Sequence, residues 1–368
     1  MNQHEHSGIW LPEPHTHDET YADRGEHTLD WLARCTNQRA IECRRFLNEN
    51  LALLPKNIQE YIRSKAYHHW KSTFFELMVA RVLQELGATI ELEQTNSEGR
   101  RPDFTARFLD ETIIVEAVSP VFNSDAGEIA KNRIPLFRII ESNIPQGWRV
   151  GIWKLPTIGP NDSRKEFERA VKRMLSISQP NEMSEAIELS AEISTGVIRL
   201  RLWPGKTKSR RLMWEAPITA FDNSEERIRY VVKRKRSQVR SSDKPVLLAI
   251  EASGISSDFH DFDKALFGHT YESYNVRMQL EAMGFRPDGV LNARGNKPST
   301  YAGVLAFLNV GFPGGPAPVL YNHPRFMGNL PKAILGLEQR RYDKASNEIQ
   351  MVPAEANDFM QRLNFVQT

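Results

Sequence analysis

Apolar side chains recur at three- and four-residue steps from Thr28 to about Ser64, at Leu29, Leu32, Ala33, Ala40, Ile41, Phe46 and Leu47, and continue through LALLP and IQEYI. That spacing predicts a helical lead-in over 28–71. Residues 73–86 (TFFELMVARVLQEL) are apolar at 75, 78, 79, 82, 83 and 86 and are followed by Gly87, the pattern of one amphipathic helix with a glycine stop. Three short runs with strand character follow, ATIELE, PDFTARF and TIIVEAV. A helical stretch covers about 126–143, and beyond the breaker Pro145-Gln146-Gly147 lies the strand WRVGIWK at 148–154. The predicted order is helix, three strands, helix, strand.

After Pro156 a helix is predicted over about 163–177, then two alternating runs, AIELSAEI and VIRLRLW. A two-residue turn at Thr195-Gly196 pairs Ile193 with Ile198, Ala191 with Leu200 and Leu189 with Leu202, and sets Glu192 against Arg199. A helix near 225–240, the strand KPVLLAIEA, a short helix DFDKALF stopped by Gly268, and strands near 303–309 and 318–322 resume an α/β pattern. Residues 1–27 hold His4, His6, His15, His17 and His27 among polar neighbours with no apolar period, which predicts a flexible tail. The expected division is therefore 1–27 tail, 28–71 lead-in, 72–155 core, 156–243 hairpin and basic region, and 244–368 C-terminal α/β region.

The composition narrows the functional classes. At 368 residues, 40% hydrophobic and 26% charged, the chain is long enough for two domains, and its formal charge of +2 gives no global field towards nucleic acid or membrane. No apolar run approaches a membrane span, and MNQHEHSGIW lacks a basic stretch followed by an apolar core. Cys35 and Cys43 are too few for a disulfide scaffold. These features point to a cytoplasmic protein with reduced thiols and no membrane partner.

Two carboxylates on adjacent strands are the candidate chemistry. Phosphodiester hydrolysis calls for a hard cation, and Mg²⁺ takes oxygen ligands, typically one or two carboxylates with water. If PDFTARF and TIIVEAV form a hairpin turning at Asp110-Glu111, Asp103 lies opposite Val118 and Thr105 opposite Glu116. Asp103 and Glu116 then share a face, on a diagonal of about 7 Å, and a one-residue slip would separate them. Other readings stand beside this one. Asp103 after proline suits a strand start, Arg107 is placed to pair with Glu116, and Glu76 beside an apolar stripe suits contact with an arginine or a helix terminus. A glutamate inside TIIVEAV is costly to bury without a partner or a metal.

Glu76 in FFELMVARVLQELG, RPDF at 101–104 and VEAV at 115–118 together resemble the PD-(D/E)XK nuclease superfamily over roughly residues 72–155. The resemblance implies a restriction-endonuclease-like α/β core with a helical lead-in and additional C-terminal α/β elements. It implies that Asp103, Glu116 and the backbone carbonyl of Ala117 hold Mg²⁺ or Mn²⁺, with Glu76 assisting. It implies a DNA substrate, a restriction or phage-defence setting, and a homodimer or partner subunit in such a system. Where the family has its lysine this chain has Val118, so either Lys131, with Arg133 close by, replaces it, or the core is degenerate and binds nucleic acid or a partner without cutting. Lys131 also reads as an ordinary solvated helix residue.

Basic charge is concentrated between Val197 and Arg240, where 13 Lys and Arg meet four acids. Lys206, Lys208, Arg210 and Arg211 lie between Trp203 and Trp214, and Arg229, Lys233, Arg234, Lys235 and Arg236 decorate a helix whose apolar positions are Ile228, Val231, Val232 and Val239. Such a mixture suits phosphate contacts with aromatic stacking, and neutralising about five to seven phosphates gives a slope of log K on log salt of roughly −4 to −6. A solvated or acid-paired surface is the alternative. The cluster Asp258, His260, Asp261, Asp263 and His269 reads as a helix start rather than a metal site. ALFG and YNHPRFMGNLP resemble the tails of bacterial proteins with a comparable nuclease-like core.

Overall fold

A computed structural model describes residues 10–20, 26–92, 102–119, 124–156, 158, 164–176, 185–205, 212–214, 224–238, 243–252, 258–291, 299, 301–308, 310 and 318–355. The chain divides into two compact units. One comprises Met1–Asp18, Leu32–Pro120 and Asp222–Thr368, the other Glu19–Trp31 and Val121–Phe221.

Residues 10–18, expected in the flexible tail, are tied down. Asn48 Oδ1 accepts from the N–H groups of Trp10 (3.0 Å) and Leu11 (2.9 Å), Leu11 is buried, and buried Arg44 reaches Glu13 at 3.2 Å. Polar side chains make these ties, so apolar periodicity does not register them. Helices α1 (Thr28–Arg34), α2 (Gln38–Ala52) and α3 (Lys56–Ala66) follow. Asn37 caps α2 by accepting from Ala40 N–H, and α3 turns Ile58, Ile62 and Ala66 inward at four-residue steps. Helix α4 (Trp70–Glu85) is buried on nearly every side between Thr73 and Leu83, and Gly87, at φ +93°, turns the chain out of it.

Strands β1 (Thr89–Glu91), β2 (Phe104–Arg107) and β3 (Thr112–Val118) pair antiparallel in sequence order. The β2–β3 partners are Phe104 with Val115 and Thr105 with Ile114, two residues from the expected register. Phe108 N–H donates to Glu111 C=O at 2.8 Å, so the turn takes in residues 108–111 rather than Asp110-Glu111 alone. A two-residue slip preserves which face each side chain takes, and continuing this register sets Asp103 directly opposite Glu116.

The second unit contains α5 (Ser124–Asn143), β4 (Trp148–Lys154), α6 (Arg164–Leu175), β5 (Ile187–Ile193), β6 (Gly196–Pro204) and β7 (Leu212–Trp214). Its sheet runs β5-β6-β4-β7 over a core that includes Leu136, Ile140, Val150, Phe167 and Leu200. Strand β4 therefore does not join β1–β3, and the continuous core expected over 72–155 is shared between two units. Local periodicity identifies a strand but not its neighbour. The β5–β6 hairpin pairs Leu189 with Leu200 and Ala191 with Ile198 and turns at Ser194-Thr195, again two residues from expectation with the faces preserved. Arg199 lies opposite Ser190 rather than Glu192.

The chain returns to the first unit with α7 (Ser224–Gln238), β8 (Val246–Ala252), α8 (Phe259–Phe267), β9 (Thr270–Tyr274) and β10 (Leu280–Phe285). It ends with β11 (Tyr301–Leu308), β12 (Val319–Asn322), α9 (Lys332–Leu335), β13 (Gln339–Asp343) and β14 (Glu348–Val352). β9 and β10 form a separate two-stranded ribbon. The main sheet is mixed, in the order β1-β2-β3-β8-β11-β12-β13-β14, with β3, β8 and β11 parallel. β8 and β11 are buried along their whole length, as strands covered on both faces must be. On one face, Ile228, Val231 and Val232 of α7 and Phe262 and Leu266 of α8 pack with Ile114, Leu248 and Ile250. On the other, Phe75 of α4 meets Phe307 of β11 edge-on at 5.2 Å. The fold is thus mixed α/β. No helix among the described residues is long and apolar enough to cross a membrane.

Candidate functional site

Three acids and two lysines of the first unit meet around Asp103. Glu76 projects from α4, and its two oxygens accept from Lys65 Nζ at 2.7 and 2.8 Å. Lys65 Nζ also donates to Tyr61 Oη at 2.7 Å. Asp103 stands just before β2, where its Oδ2 accepts from Ala117 N–H at 2.9 Å. Glu116, in the middle of β3, accepts from Lys235 Nζ at 2.7 Å. Glu76 and Glu116 are only 4% and 5% exposed, so each requires its cation. Three carboxylates against two ammonium groups leave a surplus of one negative charge.

Helix geometry explains both lysines. On α7, residues 228, 231, 232 and 235 form one stripe, so Lys235 continues the apolar face that packs on the sheet and arrives at Glu116. On α3, Tyr61 and Lys65 border the stripe of Ile58, Ile62 and Ala66. Val118 packs against the α7–α8 core, which explains its apolar character.

Asp103 perturbs both glutamates. Burial pushes Glu76 up to about 7 from its ordinary 4.5, and the charge of Asp103 adds to the rise, while Lys65 and Tyr61 oppose it. Burial likewise raises Asp103 against the Ala117 amide and both lysines, and raises Glu116, with Asp103 adding and Lys235 opposing. Burial pulls Lys65 down, but its bonds to Glu76 and Tyr61 leave it above its ordinary value.

A carboxyl whose folded pKa is raised binds more protons folded than unfolded, so its contribution to stability is full below about 4.5 and falls as pH rises through about 7. Glu76→Gln removes that dependence. In urea titrations the variant should gain on the wild type by about 2 kcal/mol between pH 5 and pH 8. A difference that stays constant over this range would refute the account of Glu76.

Other expected site residues fall elsewhere. Arg107 pairs with Glu91 at 3.0 Å and not with Glu116. Lys131 belongs to α5 of the second unit, and its side chain lies outside the described residues, as does that of Arg236. Lys206, Lys208, Arg210 and Arg211, like His4 and His6, are outside the described residues altogether. Arg229 is drawn inward by Glu225 at 2.7 Å and by the carbonyls of Lys264 and Asp288, so it is not a surface phosphate contact. Lys235 sits among the carboxylates rather than on an outer face. Lys233 and Arg234 are exposed, with the Arg234 guanidinium 5.9 Å from the Tyr230 ring centre. Asp258 and Asp261 form a capping box on α8, and Asp263 binds Tyr321 and Arg340, consistent with a helix start.

Sequence reasoning missed Tyr61, Lys65 and Glu251. The last, at the end of β8, accepts from Ser119 Oγ at 2.5 Å. β3 and β8 are adjacent parallel strands. Register sets Glu116 beside Leu248 and, continued, Ser119 beside Glu251, so the two glutamates face opposite sides of the sheet.

Comparison with protein-family models, curated proteins and solved structures gave no match for this chain. The site must therefore be judged by its own chemistry. Asp103 and Glu116 are like charges on facing positions that raise each other's cost of ionisation, which is the electrostatic setting a divalent cation relieves. Their oxygens suit Mg²⁺ or Mn²⁺. In the arrangement seen, Glu76 and Glu116 are engaged by lysines, and no three His, Cys, Asp or Glu side chains among the described residues are grouped as a metal site.

Proposed function

We propose that this protein is a metal-dependent phosphodiester hydrolase acting on nucleic acid, with DNA the expected substrate, built on a PD-(D/E)XK-like core of α4, β1–β3, α7 and β8. The observation that carries the reading is Asp103, which acts on both Glu76 and Glu116, together with Lys235, a lysine that reaches Glu116 from α7 where the strand has Val118. Asp103, Glu116 and the Ala117 carbonyl would hold the ion, which when bound supplies charge against the phosphate and a more acidic water. Among the described residues Lys235 makes one bond, to Glu116, which leaves two N–H donors to orient a water or a phosphate oxygen. Glu76, whose charge is coupled to that of Asp103, would assist in holding the ion. Exposed Lys233 and Arg234, on the same helix as Lys235, are suited to the phosphate backbone.

The test is incubation of the full chain with single- and double-stranded DNA and RNA under Mg²⁺, Mn²⁺ or EDTA. Cleavage should require the ion and should fall about 100-fold in Lys235→Ala. Lys131→Ala should cleave at the wild-type rate. A second reading, binding of nucleic acid or a protein partner without cutting, is favoured by the packing of Val118 into the core. It predicts salt-sensitive binding with no cleavage under any ion.

A further inference from the structure

The bond from Lys65 to Glu76 closes part of the site that the proposed reaction would use. Lys65 Nζ has three N–H donors, and all three are engaged, by Glu76 Oε1 at 2.7 Å, Glu76 Oε2 at 2.8 Å and Tyr61 Oη at 2.7 Å. The ammonium therefore sits astride the Glu76 carboxylate, where a divalent ion shared by Glu76 and Asp103 would draw its charge. We propose that Lys65, steadied by Tyr61, is a resident counter-cation that a divalent ion must displace before Glu76 can join Asp103 and Glu116 around it. This inference rests on the metal-dependent reading.

The setting allows the exchange. Ile58, Ile62 and Ala66 are fully buried, so α3 stays fixed while the Lys65 side chain, 28% exposed, has solvent to move into. Glu76, 5% exposed at its side chain, has no such freedom and requires a cation in either state. The exchange is one of charge. With Lys65 in place three carboxylates face two ammonium groups, and with it withdrawn they face Lys235 alone. An incoming ion then meets twice the surplus negative charge and no repelling ammonium at Glu76. Lys65 also differs from Lys235 in purpose. Among the described residues Lys235 keeps donors for other groups, whereas Lys65 has none left to orient water or phosphate.

The test reads ion binding, not cleavage. Mn²⁺ is titrated into the full chain at pH 8 and free Mn²⁺ is followed by electron paramagnetic resonance, with circular dichroism confirming that each variant is folded. Lys65→Met should bind Mn²⁺ at least about tenfold more tightly than wild type. Lys65→Arg, which keeps the charge, should stay within about threefold of wild type. Asp103→Asn should lose binding in both the wild-type and Lys65→Met backgrounds. If wild type binds Mn²⁺ and folded Lys65→Met binds it no more tightly, the counter-cation role is wrong and the metal reading survives. If neither binds Mn²⁺, the metal reading itself fails and takes this inference with it.

Discussion

Asp103→Asn is expected to lower ion-dependent phosphodiester cleavage on the order of 1,000-fold or more while making the fold more stable. The two effects share one cause. Asp103 raises the cost of ionising both Glu76 and Glu116, and all three carboxyls are buried enough to have raised pKa values. An amide of the same shape keeps an oxygen for Ala117 N–H, whose bond to Asp103 measures 2.9 Å, and removes the repulsion. The strand edge should therefore persist and the neighbouring acids should ionise more readily. A site that improves in stability when its central charge is neutralised is held at a cost, and that cost is intelligible if a cation is meant to offset it. Glu116→Gln should lower cleavage alike but without the gain in stability, because it takes the carboxylate from Lys235. Rates from a cleavage assay set beside urea midpoints decide the matter. Undiminished cleavage in folded Asp103→Asn would remove Asp103 from the site, and a loss of cleavage matched by a loss of stability would make it a structural residue.

The sequence made some of this legible and hid the rest for physical reasons. Faces were readable because the strand period is two, and in both hairpins the alternation of apolar residues placed the correct side chains together. Register was not, since the turns at residues 108–111 and at Ser194-Thr195 each shifted the pairing by two without disturbing that alternation. The partner of β3 was hidden for a different reason. It lies in β8, beyond the 121–221 unit, and nothing local in WRVGIWK distinguishes a strand of one sheet from a strand of another. The lysine beside Glu116 was nearer to view. Positions 228, 231, 232 and 239 were read as one apolar stripe, and Lys235 falls on that stripe, three residues after Val232 and four before Val239. A lysine on the buried face of a helix implies a buried acid opposite it. The same reasoning, applied to Ile58, Ile62 and Ala66, points to Tyr61 and Lys65.

Lys235→Met should destabilise the first unit by about 3 kcal/mol at pH 8, and most of that loss should return when Glu116→Gln is added. Glu116 is 7% exposed at its side chain and Lys235 19%, so removing the ammonium leaves a charge with little access to water. Methionine has nearly the length of lysine and continues the stripe of Ile228, Val231 and Val232, which keeps loss of packing out of the measurement. Burial and Asp103 already hold the Glu116 pKa above its ordinary value even with Lys235 beside it. Without that ammonium the carboxyl takes up a proton instead, which caps the penalty and makes it shrink as pH falls towards 5. The double variant presents a neutral amide to a thioether and needs no ion, so its stability should approach wild type although both members of the pair are gone. A double-mutant cycle in urea at pH 5 and pH 8 measures each term. Equal penalties at the two pH values, or a double variant as unstable as Lys235→Met alone, would mean that Lys235 matters to the fold through something other than the charge on Glu116.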